Sequence, residues 1–313
     1  MAFKIYNYEN TLKFHRGALL NAVEKVNDKH KNFQDLLIVI STKNMIKTLP
    51  ISLITGRKTV VYITGFGRLY TDYGVVGRLL FKTIVKIYSK ISAVAFIVEH
   101  PTDQLILEKC SDVDVFTVNG SGLDAEQFKI KIKNKKTKLK FGYLSRFGES
   151  KGSDQILKLA RNLPFDYELY IAGWDIKNSR YADYFREISN EKDNIFFIGK
   201  LNNRVLVSDF FNDIDCFLAP SKREGGCISI QEAIWHKVPF VTTNVPGCDR
   251  LAKIFKCPAF DLKNFADNIL LSDLNFENID KSSWDKKLKP FMSDSVSYEF
   301  YAIFDYIAKR NGI

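Results

Sequence analysis

Two glutamates, Glu224 and Glu232, with seven residues between them, mark the stretch of this chain best equipped for chemistry. They lie in Pro220–Arg250, which follows an apolar run from Ile214 to Leu218 and turns at Pro220. Gly225, Gly226, Cys227 and Ile228 come next, and the residues from about Ile228 to His236 suit a helix. A strand, a glycine-bearing loop and a helix start make an anion site, because the first N–H groups of a helix lack partners and point outward. Glu224 falls on the loop and Glu232 two turns into the helix, so the two need not share a role. A second such loop, Gly142–Gly152, leaves the strand Leu139–Leu144 and places Arg146 and Lys151 at an expected loop-to-helix junction. Arg grips phosphate oxygens through a fork, and Lys acts as a point charge. Two such loops on one sheet can converge on a single anion.

The elements that must hold these residues alternate along the chain. The pattern predicts strands at Leu36–Ser41, Thr59–Thr64, Ala93–Val98 and Asp114–Val118, with helices over Thr11–Val26 and Gly77–Ile91. A second series follows: strands at Leu139–Leu144, Tyr167–Ala172, Asn194–Ile198, Ile214–Leu218 and Val238–Thr242. Helices fall between them at about Ser153–Asn162, Tyr181–Ser189, Val205–Phe211 and Ile228–His236. Strands alternating with helices imply parallel sheets covered by helices, with ligands at the carboxyl ends of the strands. At 313 residues the chain has room for two such domains. We expect a Rossmann-like domain over 1–138, a nucleotide-binding domain over 139–293, and a final helix over 294–313 that packs back on the first domain.

The net charge of +10 points to a polyanionic partner or surface. Seven lysines within residues 129–140 read as an exposed linker. Arg78, Lys82, Lys86 and Lys90 recur every four residues on the helix Gly77–Ile91, whose apolar side is Leu79, Leu80, Ile84, Val85, Ile87 and Ile91. This is either a solvated surface face or a basic amphipathic helix lying on anionic headgroups. The apolar runs are far shorter than the ~20 residues that span a bilayer, and no basic-then-apolar leader opens the sequence, so neither secretion nor membrane integration is expected. Five cysteines without a CxxC pair fit free thiols in a reducing cytoplasm.

The motifs together are similar to a known family. Arg146…Lys151-Gly152, Ala172-Gly173, Ile198-Gly199, Pro220-Ser221…Glu224…Glu232-Ala233…Val238-Pro239 and Asn244-Val245-Pro246-Gly247 resemble the donor domain of the retaining glycosyltransferases of family 4, which have the GT-B fold. Ile63-Thr64-Gly65-Phe66-Gly67, Pro101-Thr102-Asp103 and Gly120-Ser121-Gly122-Leu123-Asp124…Phe128 resemble a narrower branch. That branch builds bacterial surface polysaccharides, lipopolysaccharide and lipid-linked oligosaccharides, and includes lipid-linked N-acetylgalactosaminyltransferases. The resemblance implies two Rossmann-like domains facing a cleft, with the N-terminal one shortened at its start. It implies transfer of a hexose or N-acetylhexosamine from a UDP-sugar to a glycan or polyprenyl-diphosphate-linked acceptor, at the cytoplasmic face of the membrane. Arg146 and Lys151 would neutralise the diphosphate and the charge growing on the leaving group. Glu224 would hold donor-sugar hydroxyls, Gly226, Cys227 and Ile228 would offer N–H groups to the phosphates, and Glu232 would take the ribose hydroxyls. Gly65, Gly173, Lys200 and Gly225 complete the implied donor contacts. A phosphate oxygen would take the acceptor proton, so no side-chain base and no cofactor is required. Thr64 stands where many relatives carry a histidine.

Other readings are weaker. Asp112-Val113-Asp114 and Asp213-Ile214-Asp215 are DxD strings of the kind that hold a divalent ion, but each precedes its strand, at the edge away from the ligand. His15, His30, His100 and His236 have no ligand spacing, so no metal is expected. The lysine run lacks interleaved aromatics, which argues against nucleic acid, and no GxGxxG follows a strand, which argues against an oxidoreductase. A nucleotide-sugar-binding subunit that needs a partner chain is the alternative to an enzyme.

Overall fold

The computed structural model describes residues 5–6, 17–30, 36–126, 128–131, 138–176, 179–271, 276 and 279–312. In chain order the elements begin with β1 (Ile5–Tyr6), α1 (Gly17–Lys29), β2 (Leu37–Ile40), α2 (Thr42–Thr55) and β3 (Thr59–Ile63). They continue with α3 (Gly67–Asp72), α4 (Gly74–Ile91), β4 (Ala93–Val98), α5 (Pro101–Glu108) and β5 (Asp114–Thr117). The second series has β6 (Leu139–Phe147), α6 (Ser153–Asn162), β7 (Tyr167–Asp175), α7 (Tyr181–Glu191), β8 (Ile195–Gly199) and α8 (Arg204–Asp213). It ends with β9 (Cys216–Ala219), α9 (Ile228–Trp235), β10 (Phe240–Thr243), α10 (Cys248–Phe255), β11 (Ala259–Phe260), α11 (Phe265–Leu271) and α12 (Trp284–Leu288), and α13 (Ser293–Asn311) closes the chain.

The chain divides into two compact units, one of residues 1–124 with 290–313 and one of residues 125–289. Each holds a parallel sheet, ordered β1-β2-β3-β4-β5 in the first and β11-β10-β9-β6-β7-β8 in the second. Successive strand residues face opposite ways, and the first unit uses both faces. Ile38, Ile40, Val60, Tyr62, Ala95 and Ile97 pack with α1 and α13. Leu37, Val39, Val61, Ile63, Phe96 and Val98 pack with α2 and α4. In the second unit Phe141, Tyr143, Leu169, Ile171, Cys216 and Leu218 meet α6, α7 and α11. On its other face Phe211 sits 5.3 Å from Phe217 and 5.4 Å from His236, so α8 seals β9.

Several expectations change. The helix over Thr42–Thr55 has no counterpart in the pattern, because Pro50 inside it breaks the helical signal. At its start the Ser41 side chain accepts the N–H of Asn44, and Gly56 in the left-handed region closes it. Part of the helix expected over Thr11–Val26 lies outside the described residues. The stretch expected as a linker is docked at its start: the N–H of Lys129 donates to Ser208 Oγ at 3.0 Å and that of Lys131 to Asn212 Oδ1 at 3.0 Å. These bonds tie it to α8, and the second unit therefore begins at Ala125, before the anticipated boundary. Residues 132–137 of the lysine run lie outside the described residues. On α4 the apolar side divides: Ile84 and Val85 join Phe81 and Tyr88 in the core, while Leu79 and Leu80 face solvent. No helix among the described residues is long and apolar enough to cross a membrane.

Candidate functional site

The strand order of the second unit reverses between β6 and β9. Successive strands β6, β7 and β8 step one way from the centre, and β9, β10 and β11 step the other. At such a reversal the connecting loops leave in opposite directions and open a crevice at the carboxyl ends. The loops there are β6–α6, which carries Lys151, and β9–α9, which carries Glu224.

Close backbone packing joins these loops. Gly152 has φ +70°, and a Cβ on it would sit 1.9 Å from the carbonyl oxygen of Pro220, so only glycine fits. The N–H of Lys222 donates to Ser150 O at 3.0 Å, a second tie between the loops. A third loop closes in at Gly247, φ +87°, where a Cβ would lie 2.3 Å from the carbonyl oxygen of Gly225. Tyr143, buried under the first loop, donates to Lys151 O at 3.0 Å, and Ser153 Oγ accepts the N–H of Gly148 at 2.8 Å.

The charged groups follow from this frame. Lys151 Nζ meets Glu224 Oε1 at 2.5 Å, and Ser221 Oγ donates to the same oxygen at 2.7 Å. Glu224 Oε2 has no partner among the described residues. Cys227, in the left-handed region at φ 50°, caps α9 without a side-chain hydrogen bond, and Gln231 Nε2 donates to Gly226 O at 2.6 Å. The N–H groups of Ile228 and Ser229 have no acceptor among the described residues, so the helix start is open to an anion. Burial pushes the Cys227 thiol well up, and its sulfur lies 2.9 Å from that of Cys248.

Glu232 is buried, and Arg204 Nη1 donates to its Oε1 at 2.9 Å. Burial pushes its carboxyl up to about 7, although the Arg204 guanidinium pulls it down. Desolvation outweighs the ion pair here, because the low-dielectric surroundings penalise the charged form more than one partner offsets. Arg204 in turn lies over the Phe128 ring, 5.3 Å from its centroid.

Lys151, Glu224, Gly225, Gly226, Cys227 and Ile228 thus come together, with Glu232 on the helix they open. Arg146 sits elsewhere than at the expected junction. It belongs to β6, because β6 and β7 stay paired through Arg146↔Trp174 and Phe147↔Asp175. Its side chain is exposed and has no ion pair among the described residues. Gly173 lies beneath that row, its Cα so close to β6 that a Cβ would be 1.8 Å from Ser145 O. Lys200 Nζ stands over the half-exposed Trp174 ring at 5.2 Å. Gly65 belongs to the first unit, two residues beyond β3. Asp114 opens β5 and Asp215 precedes β9, where its carboxylate accepts the N–H of Lys140 at 3.0 Å. Arg204, Gln231 and Trp174 carry no local motif that marks them in the sequence, and Ser221 belongs to one that gives it no role of its own.

Residues 124–270 match the family model described as glycosyl transferases group 1. Every site residue just placed in the second unit lies in that segment. Protein CapJ of Staphylococcus aureus is 30% identical over 114 residues, which cover 35% of this chain and 29% of that protein. This chain therefore matches well under half the length of that relative. Among solved structures, sucrose-phosphate synthase (tll1590) from Thermosynechococcus elongatus aligns over 97% of this chain and 81% of its own, with TM-score 0.69 and 14% identity. A variant of TarM from S. aureus, in complex with fondaparinux, α-GlcNAc-glycerol and UDP, aligns over 92% of this chain and 58% of its own, with TM-score 0.64 and 18% identity. The fold is GT-B, built of two Rossmann-like units.

Proposed function

We propose that this protein is a metal-independent, retaining glycosyltransferase that moves a hexose or N-acetylhexosamine from a UDP-sugar to a lipid-linked or surface-glycan acceptor at the cytoplasmic membrane face. The observation that carries the reading is the Lys151–Glu224 pair at the open start of α9, at the topological switch point of the second unit. A UDP-bound neighbour of the same fold supports the choice of nucleotide.

The chemistry follows from what each group can do. The diphosphate takes the open N–H groups at Ile228 and Ser229, with Lys151 and the exposed Arg146 offsetting the charge that grows on the leaving phosphate. Donors fixed before the reaction contribute most, since they need not reorganise as charge develops. Glu224 keeps Oε1 on Lys151 and Ser221 and offers Oε2 to sugar hydroxyls. Glu232 offers its free oxygen to the ribose while Arg204 holds the other. Attack on the face the nucleotide leaves, with a phosphate oxygen accepting the proton, retains the anomeric configuration.

The test is UDP release from UDP-sugars with a polyprenyl-diphosphate-linked acceptor. Release that survives EDTA and falls by about two to three orders of magnitude in Glu224→Ala is the expected result. Failure of UDP to bind would overturn the reading. Tight UDP binding with no turnover on any acceptor would replace transfer with the role of a binding subunit.

A further inference from the structure

The first unit displays a surface that the donor site does not use. On α4, Val75, Val76, Leu79 and Leu80 are exposed by 79, 76, 66 and 49%. They are contiguous on one face, because Val75 and Leu79, Val76 and Leu79, and Val76 and Leu80 stand three or four residues apart and so adjoin on a helix. Gly77 lies between them, held so tightly on α3 that a Cβ would sit 2.0 Å from Leu69 O, so the aliphatic tip is a fixed part of the fold. The next turns of the same solvent face carry Lys82, Lys86 and Lys90, which have no salt-bridge partner among the described residues. Neighbouring α2 packs on the same core and adds exposed Lys43, Lys47, Leu53 and Ile54, with Thr48 Oγ1 and Tyr88 OH 2.7 Å apart between the helices. From Leu36 to Val98 the sequence holds nine Lys and Arg residues and a single carboxylate, Asp72.

We infer that the solvent faces of α4 and α2 dock on an anionic lipid bilayer, with Val75, Val76, Leu79 and Leu80 inserted among the headgroups and the lysines lying on the surface. This rests on the membrane location proposed above and assigns it a surface. A contiguous apolar patch beside exposed cations matches an interfacial helix, and each lysine near an anionic surface strengthens binding. A second copy of the chain is a poor occupant, because pairing two such faces would set like charges against each other. Insertion distinguishes this surface from purely electrostatic adsorption: high salt weakens it but leaves the aliphatic contribution.

The test is co-sedimentation of the full chain with phosphatidylcholine vesicles, with and without about 30 mol% of anionic phosphatidylglycerol. Binding is expected with the anionic vesicles, lowered about tenfold or more by Lys82→Glu with Lys86→Glu, and by Val76→Asp with Leu80→Asp. Leu79→Trp should show a blue-shifted emission on the anionic vesicles only. Because the altered side chains are exposed, circular dichroism melts and UDP affinity should match the unaltered chain. That keeps a failure here separate from a failure of the transferase reading. Equal binding to neutral vesicles, or binding indifferent to both double variants, overturns the inference. So does a concentration-dependent dimer that Val76→Asp with Leu80→Asp dissociates, without vesicle binding.

Discussion

The two units share their layers and differ at the carboxyl edges of their sheets. In the second, strand order reverses at β6 and β9, and glycine contacts bring three loops into backbone contact around Lys151 and Glu224. In the first, the described strands run β1 to β5 without a reversal. The loop after its β3 is looser: a Cβ on Gly65 would meet nothing within 4 Å, and one on Gly67 nothing closer than 3.8 Å. The buried carboxylate at that unit's edge, Glu99, is held by Tyr62 OH at 2.5 Å and Ser121 Oγ at 2.8 Å. A parallel sheet with covering helices is therefore not by itself a site. The reversal opens the crevice, and close backbone packing keeps its charges in place.

Removing the charge at the crevice should have the largest effect. Lys151→Ala takes away the cation that the proposed reaction sets against the leaving group, and leaves Glu224 without its ion pair. We expect kcat/KM for the UDP-sugar to fall by about 10²–10³. Lys58 of the first unit, which donates to the Asn311 carbonyl at an exposed site, is the control. Lys58→Ala should change turnover by no more than about twofold. Equal losses would erase the distinction between the units.

The packing part of the comparison has a matched pair of glycines. Gly56 and Gly152 share the left-handed conformation, with φ, ψ of 57°, 16° and 70°, 26°. Alanine incurs the same backbone penalty at each, about 1 kcal/mol. A Cβ at Gly56 meets nothing, whereas at Gly152 it strikes Pro220 O. Gly56→Ala should therefore lower stability by only that amount. Gly152→Ala should cost about 3 kcal/mol or more and weaken UDP binding as the loops part. Urea titration and calorimetry measure both, and similar losses at the two positions would show that the loops do not depend on this contact.

How much of this could be read from the residues follows the range of each interaction. The β9–α9 turn is legible because strand, proline, glycines and helix are consecutive in the chain. The ion pair of Glu232 is not, since Arg204 stands 28 positions away and on another helix. Spacing alone puts Arg146 at a junction, because its pairing with Trp174 depends on where β7 ends, which propensity does not reveal. Helix α2 has no local signal because tertiary packing on Met45 and Leu49 overrides the cost of Pro50. The charge on α4 is plain from spacing, but which of its apolar residues stay exposed depends on the α3 contact at Gly77.

The buried carboxylates sharpen the comparison in a third way. Burial holds Glu232 up to about 7, so in the proposed reaction it accepts ribose hydroxyls in full only once ionised. Donor KM should fall as pH rises through about 7, and Glu232→Gln should flatten the profile around that pH. An unchanged profile in the variant would assign the titration to another group.

Asp103 of the first unit is the quieter counterpart. Burial, and then the charge of Glu99, push its carboxyl from 3.8 up to about 6. Between those values the folded chain holds a proton that the unfolded chain has lost, so this group's contribution to stability falls as pH rises and levels off above about 6. The amide introduced by Asp103→Asn cannot ionise, so that variant should escape the fall. The start of α5 favours a negative charge and offsets part of the effect. The expected gain is on the order of 1–2 kcal/mol at about pH 7, shrinking to nothing near about pH 4. Urea denaturation at the two pH values measures it. Parallel curves would mean that Asp103 titrates as an ordinary carboxylate, leaving Glu232 of the second unit as the raised acid among the described residues.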